Sequence, residues 1–166
     1  NAFVVDDVDN ADQNGQQLVD QWHTIYEITY ANGTNNEGFD ISGWNSSYTG
    51  SPIPAGQMRE WLDQTISRIL ALNPRNVLEV GCGTGMILFG VAAHCESYFG
   101  LDLSPTAIER LRDQTAKRGL TNVTLCADTA ERIETLAEQS FDLVIINSVV
   151  QYFPSAELLI RILNAA

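Results

Sequence analysis

The chain has 166 residues, of which 45% are hydrophobic and 18% charged, a composition typical of one soluble globular domain. Its net charge of −12, with Lys117 as the single lysine, argues against nucleic acid or an anionic membrane as the main partner, because both bind basic surfaces. A small or cationic ligand suits such a surface better.

The cysteines indicate a reducing compartment, and the N-terminus does not indicate secretion. Cys82, Cys95 and Cys126 have neither a pairing pattern nor metal-ligand spacing, so we expect reduced thiols and no metal in a cytoplasmic protein. The N-terminal residues are acidic and lack the basic segment of a signal peptide. No apolar run approaches the ~20 residues that cross a bilayer.

Residues 1–72 are predicted to form a helical and lid region. Two amphipathic patterns indicate helices that pack on a core. Their apolar stripes consist of Leu18, Trp22, Ile25 and Tyr26, and of Met58, Trp61, Leu62, Ile66, Ile69 and Leu70. Residues 32–54 lie between them and are polar and glycine-rich, but their aromatic residues Phe39, Trp44 and Tyr48 favour a lid.

Residues 73–166 alternate short apolar runs with helical patterns, which is typical of an α/β fold with a parallel sheet. The predicted strands are 76–80, 97–102, 122–128 and 141–150, and the predicted helices are 84–95, 104–119, 129–137 and 155–165. The second helix is well marked, with Ser104 as N-cap, Pro105 in its first position and Gly119 at its end.

The sequence VLEVGCGTGM places Gly81, Gly83 and Gly85 directly after the first strand. Alternate glycines let the backbone turn tightly and let a ligand approach where a side chain would collide. Such a turn lies at the carboxyl edge of a parallel sheet, where doubly wound folds bind ligands. We therefore expect a ligand site at this edge.

Three carboxylates indicate which ligand this is. Asp102 ends the second strand, where it can accept both ribose hydroxyls of a nucleoside, and Asp128 ends the third, near the expected base. Glu79 lies inside the first strand and, if buried, should face a donor or a positive charge. These acids would repel a dinucleotide pyrophosphate and suit a ligand with an ammonium and a sulfonium, such as S-adenosylmethionine.

The segments VLEVGCGTG, YFGLDLS, LCADTAE and FDLVIINSVVQYF, in this order, resemble the motifs of class I S-adenosylmethionine-dependent methyltransferases over residues 73–153. The resemblance implies a Rossmann-like, three-layer α/β/α fold. It also implies that the cofactor is bound by Gly81, Gly83 and Gly85 at its methionine part, Glu79 near its amino group, Asp102 at the ribose, Asp128 and Thr129 at the adenine, and Asn147 beside the methyl group. Cys82 and Leu103 are further expected cofactor-binding residues.

A narrower resemblance starts upstream, in FDISGWNSSYTGSPIPAGQMREW, and ends at SVVQYFP. These segments look like the methyltransferase domains embedded in nonribosomal peptide synthetases. The resemblance implies N-methylation of an aminoacyl group tethered to a carrier protein, with that carrier and the neighbouring synthetase domains as partners.

Methyl transfer mainly requires a positioned nucleophile and a dry site. His23 is the candidate acceptor for the proton of an amine, although a core or surface histidine is the alternative interpretation. Asn147, Gln151 and Tyr152 are expected on the reaction side of the cleft, or else as polar residues that end a strand. Trp44 and Tyr48 either close over the cofactor or anchor their loop.

The resemblance also implies a seven-stranded sheet in the order 3-2-1-4-5-7-6, whereas only four strands are predicted here. We therefore expect a truncated core whose fourth strand has an open edge, prone to pairing or self-association. Three alternatives stay open: a methyltransferase for a free small molecule, a nucleotide-dependent oxidoreductase, and a non-catalytic docking module.

Overall fold

The computed structural model describes residues 22–25, 27–28, 39–46, 48–136 and 141–165. Among them, one sheet is formed by β1 (Asn76–Val80), β2 (Ser97–Asp102), β3 (Val123–Ala127) and β4 (Leu143–Ile146). The strand order is β3-β2-β1-β4, and every pairing is parallel. The predicted α/β class is confirmed, and β1 lies at the centre of the sheet, between β2 and β4.

Helices follow or precede the strands as the alternating pattern predicts. They are α1 (Ala55–Leu70), α2 (Met86–Val91), α3 (Pro105–Lys117) and α4 (Ala156–Ala165). Residues 22–25 and 27–28 are also helical, and 3₁₀ turns span Ala92–His94, Ala130–Thr135 and Val150–Tyr152. At the start of α3, the Ser104 hydroxyl accepts a hydrogen bond from the Ala107 N–H at 3.0 Å, which confirms the predicted N-cap.

The sheet is covered on both faces, because neighbouring strand residues point to opposite sides. Helices α1, α2 and α3 cover one face, where Val77 and Tyr98 lie within their apolar cluster. On the other face, Leu78 and Leu101 pack with residues of α4 and of the turn Ala130–Thr135. The sheet and the helices on its two faces form the three layers of a Rossmann-like fold.

Helix α1 presents the predicted apolar stripe to this core, with Met58, Leu62 and Ile69 buried. Its close approach to α2 depends on Gly90, where an added Cβ would lie 2.2 Å from Ile66 Cδ1. Residues 55–70 therefore share one core with the strands.

Two predicted elements have a boundary that the backbone conformation explains. The helix predicted over 84–95 begins at Met86, because Gly85 is left-handed at φ 80°. The strand predicted over 141–150 ends at Ile146, because the chain turns at Ser148, which has φ 55°. The predictions for Leu18 and Tyr26, for residues 32–38 and for residue 137 lie outside the described residues.

None of the helices in the described residues combines the length and the apolar character needed to cross a bilayer.

Candidate functional site

A cavity of about 960 Å³ opens at the carboxyl ends of the four strands. The residues that directly follow each strand line it, from the glycine turn after β1 to Asn147 after β4. The opposite wall comes from Trp22 and His23, from residues 42–45, and from Trp61 of α1. The cavity thus lies at the edge where the sequence predicts a ligand.

The glycine turn is shaped by backbone conformation and by close packing. Gly81 and Gly85 have φ values of 77° and 80°, which side chains of L-residues rarely tolerate. A Cβ at Gly81 would lie 2.8 Å from Val149 Cγ2, and one at Gly85 would lie 2.4 Å from Leu111 Cδ2. Gly81 lines the cavity, whereas Gly85 packs under α2 and α3.

Asp102, the last residue of β2, stabilises this turn by accepting hydrogen bonds. Its Oδ2 accepts a hydrogen bond from the Gly83 N–H at 2.7 Å, and its Oδ1 accepts one from the Ser104 N–H at 2.9 Å. Burial raises the pKa of Asp102, although the hydrogen bonds from Ser104 and Gly83 lower it. Asp102 is 8% exposed as a residue and lines the cavity, and each carboxylate oxygen can accept a second hydrogen bond from a ligand hydroxyl.

Glu79 is a buried carboxylate in the cavity wall, with 3% of its surface exposed. Its Oε2 accepts a hydrogen bond from the Tyr98 hydroxyl at 2.6 Å. Burial raises the pKa of Glu79 to about 7; the Tyr98 hydrogen bond lowers it and the charge of Asp102 raises it further. The site therefore holds a carboxyl group that ionises near neutral pH.

The glycine turn also places a thiol beside the cavity. Burial raises the pKa of the Cys82 thiol well above its ordinary value, and the charges of Asp102 and Glu79 add to the effect. The thiol therefore stays protonated and is a poor nucleophile.

Asp128 follows β3, and its Oδ1 accepts a hydrogen bond from the Thr129 N–H at 2.8 Å. Its Oδ2 lies 4.0 Å from Arg132 Nε. Asp128 and Thr129 both line the cavity on the side of β3.

The wall after β4 contains Asn147, Gln151 and Tyr152. The Gln151 side-chain amide donates to the Ser148 carbonyl at 2.9 Å, which holds its side chain against the turn. The Tyr152 ring lies 4.5 Å from the Trp22 ring, between centroids. This contact joins the wall after β4 to the N-terminal helical segment.

The loop before α1 contacts the rest of the site. The Thr84 hydroxyl donates to the Asp40 carbonyl at 2.8 Å, and the Trp44 ring packs at 4.8 Å on Trp61. Tyr48 differs, because it lies at the tip of the turn between Asn45 and Pro52 and is 100% exposed. The structure therefore places Trp44 in the cavity wall and Tyr48 in solvent.

Most of the predicted site residues meet in one place. Those that line the cavity are His23, Trp44, Glu79, Gly81, Cys82, Gly83, Asp102, Leu103, Asp128, Thr129, Asn147, Gln151 and Tyr152. Gly85 and Tyr48 do not line it, for the reasons given above.

Two contributors were not anticipated. Tyr98 could be found from strand periodicity, since Tyr98 pairs with Val77 and points to the same face as Glu79. Glu27 accepts hydrogen bonds from Ser104 and Thr106, 77 and 79 positions away, and no local pattern signals this contact.

The sequence profile of a family described as "Methyltransferase domain" matches residues 73–165. The probable non-canonical nonribosomal peptide synthetase CymA of Salinispora arenicola is 39% identical over 166 residues, which cover 99% of this chain and 2% of the synthetase. The beauvericin nonribosomal cyclodepsipeptide synthetase of Beauveria bassiana is 40% identical over 175 positions, covering 99% of this chain and 5% of the synthetase. The chain thus spans a small part of either relative.

Among solved structures, the fold matches that of the N-methyltransferase NodS from Bradyrhizobium japonicum in complex with S-adenosyl-L-homocysteine. The TM-score is 0.62 at 20% identity, and the match covers 86% of this chain and 64% of NodS. This likeness concerns the fold.

Proposed function

The chain belongs to the methyltransferase domain family, and from this premise we propose that it binds S-adenosylmethionine and supports transfer of its methyl group. The observation that carries the proposal is the Glu79 carboxylate, which is buried in the cavity wall directly before the glycine turn. Burying a carboxylate is costly unless something offsets it, and a positively charged ligand would do so.

The charges around the cavity fit a cationic ligand. Its acidic lining residues are Glu79, Asp102, Asp128, Glu131 and Glu157. Among the described residues, Arg161 is the one lysine or arginine in the lining, and its Nε lies 2.9 Å from Glu134. A pyrophosphate would meet mostly negative charge here, whereas an ammonium and a sulfonium would be attracted.

The arrangement of the lining fits the parts of S-adenosylmethionine. Glu79 and the open backbone at Gly81 would hold the amino acid part, and Asp102 would accept from the ribose hydroxyls. Asp128 and Thr129 would hold the adenine. When bound, this cofactor supplies an electrophilic methyl group on a positively charged sulfur.

The residues after β4 and the N-terminal segment would serve the acceptor. Trp22, packed on Tyr152, excludes water from one side of the cavity. The side-chain amides of Asn147 and Gln151 would orient a polar acceptor, Gln151 through its carbonyl oxygen, because its amide nitrogen donates to Ser148. His23 would take the proton that an amine must lose to be a nucleophile.

We further propose that the acceptor is the amine of an aminoacyl group on a carrier protein. The support is the similarity of 99% of the chain to segments of nonribosomal peptide synthetases. The partners would then be the carrier protein and neighbouring synthetase domains.

Calorimetric titration tests the cofactor. We expect the chain to bind S-adenosylmethionine and S-adenosylhomocysteine, and not NAD. Asp102→Ala should weaken binding by about tenfold or more, since it removes a charged hydrogen-bond acceptor. Asp113→Ala is the matched control, because Asp113 is exposed on α3. Binding of NAD alone, or equal affinity of both variants, would contradict the proposal.

A transfer assay tests the acceptor. The chain is incubated with S-adenosylmethionine and either an aminoacyl-loaded carrier protein or the free amino acid, and methylated product is detected by mass spectrometry. Methylation of the carrier-bound amine alone is expected. Methylation of the free amino acid alone would favour a small-molecule methyltransferase.

A further inference from the structure

Glu27 joins the N-terminal helical segment to the start of α3. We call residues 22–25 and 27–28 the roof segment. Glu27 Oε2 accepts a hydrogen bond from the Thr106 hydroxyl at 2.5 Å, and its Oε1 accepts from the Thr106 N–H at 3.3 Å. Its Oε1 also accepts a hydrogen bond from the Ser104 hydroxyl. One carboxylate thus makes three contacts with residues that follow β2.

The opposite end of the roof segment contacts the other side of the cavity. Trp22 packs on Tyr152, which follows β4. Since β2 and β4 flank β1 in the sheet, the roof segment crosses above the carboxyl end of β1. Trp22 and His23 line the cavity along this crossing.

Glu27 caps only one backbone donor of helix α3, the Thr106 N–H, which donates to its Oε1 at 3.3 Å. The Ser104 hydroxyl already accepts from the Ala107 N–H at 3.0 Å, and Pro105 at the first helical position has no N–H to satisfy. The Thr106 side-chain hydroxyl, which the helix does not need, donates to Glu27. Two of the three contacts of Glu27 are with side-chain hydroxyls, so these contacts hold the roof segment in place more than they stabilise the start of the helix.

Electrostatics supports an ionised Glu27 in this position. Burial acts to raise the pKa of Glu27, but the hydrogen bonds from Ser104 and Thr106 and the nearby His23 lower it overall. The charge of Glu27 in turn raises the pKa of Asp102. Ser104 connects the two acids, because its N–H donates to Asp102 and its hydroxyl donates to Glu27.

We infer that Glu27 is a positioning residue that latches the roof segment across the cavity and slows release of the bound nucleoside donor. The donor is the one assigned under the proposed function, on which this inference rests. The latch itself is a property of the ligand-free chain, and it acts by holding Trp22 and His23 in place.

The test combines two measurements on the whole chain. Hydrogen exchange without ligand should show loss of protection in the roof segment in Glu27→Gln, with residues 107–117 unchanged. With S-adenosylhomocysteine, the dissociation rate should rise about tenfold while the association rate changes little, because charged hydrogen bonds are lost. Thr106→Val should act in the same direction more weakly. Glu109→Gln, an exposed acid on α3, is the matched control.

Two outcomes overturn this inference: exchange in the roof segment that is unaffected by Glu27→Gln, and lost protection confined to the first turn of α3, which would make Glu27 only a helix cap. If the parent chain fails to bind S-adenosylhomocysteine, that result contradicts the proposed function. The exchange experiment still decides whether Glu27 fastens the roof segment.

Discussion

The hydroxyl of Tyr98 lies 2.6 Å from Oε2 of Glu79, and both side chains are buried between the sheet and its covering helices. The two residues come from adjacent strands that pair in parallel, and Glu79 lies opposite Gly100. The hydrogen bond thus holds a carboxyl group at the cavity whose pKa burial raises to about 7.

Glu79→Gln should change how stability depends on pH. Between its ordinary pKa of 4.5 and about 7, folded Glu79 keeps a proton that the unfolded chain has released, so its contribution to stability falls as pH rises. From about pH 5 to about pH 8, the parent should therefore lose about 2–3 kcal/mol relative to the variant. Urea denaturation at each pH measures this. A constant difference between parent and variant would contradict the prediction.

Tyr98→Phe should remove the hydrogen bond and leave the buried packing in place. The loss of a donor to a charged group should cost about 2 kcal/mol at about pH 8 and less at about pH 5, where Glu79 is protonated. The pKa of Glu79 should rise further, so the fall in stability should continue above pH 7. Urea denaturation at a series of pH values tests both the loss of stability and its continued fall above pH 7. Tyr48→Phe, at a fully exposed tyrosine, should have no effect.

Local sequence signals explain why most of the predicted site residues line one cavity. The Ser104 and Pro105 helix start and the carboxylates at strand ends are patterns within a few residues, and strand alternation places them at one edge. The predicted end of the fourth strand was wrong. The turn depends on Ser148 adopting φ 55°, and the residue types around it do not indicate this conformation.

Contacts between distant segments were beyond such reasoning. Glu27 meets Thr106 across 79 positions, and its neighbours in sequence contain no sign of that partner. Tyr48 illustrates a different limit, since an aromatic residue in a loop indicates a buried contact only if the backbone turns it inward. In this turn it lies at the tip and points to solvent.

Gly85→Ala should destabilise the chain by about 3 kcal/mol, the sum of left-handed backbone strain and overpacking. Its φ is 80°, and a Cβ there would lie 2.4 Å from Leu111 Cδ2. Gly119→Ala separates the two causes, because Gly119 has φ 65° with open space around it and should cost about 1 kcal/mol. Chemical denaturation measures both. Equal losses in the two variants would mean that packing at Gly85 contributes nothing.

Trp44→Ala and Tyr48→Ala form a matched pair that tests which aromatic residue belongs to the site. Trp44 lines the cavity and packs on Trp61 at 4.8 Å, so its removal should cost about 2 kcal/mol and weaken S-adenosylhomocysteine binding several-fold. Tyr48 is fully exposed, so its removal should leave stability and affinity unchanged. Thermal denaturation and calorimetry read the two effects. Weaker binding in Tyr48→Ala would show that the turn around Tyr48 folds over the ligand, and the assignment of Trp44 alone to the cavity wall would then be wrong.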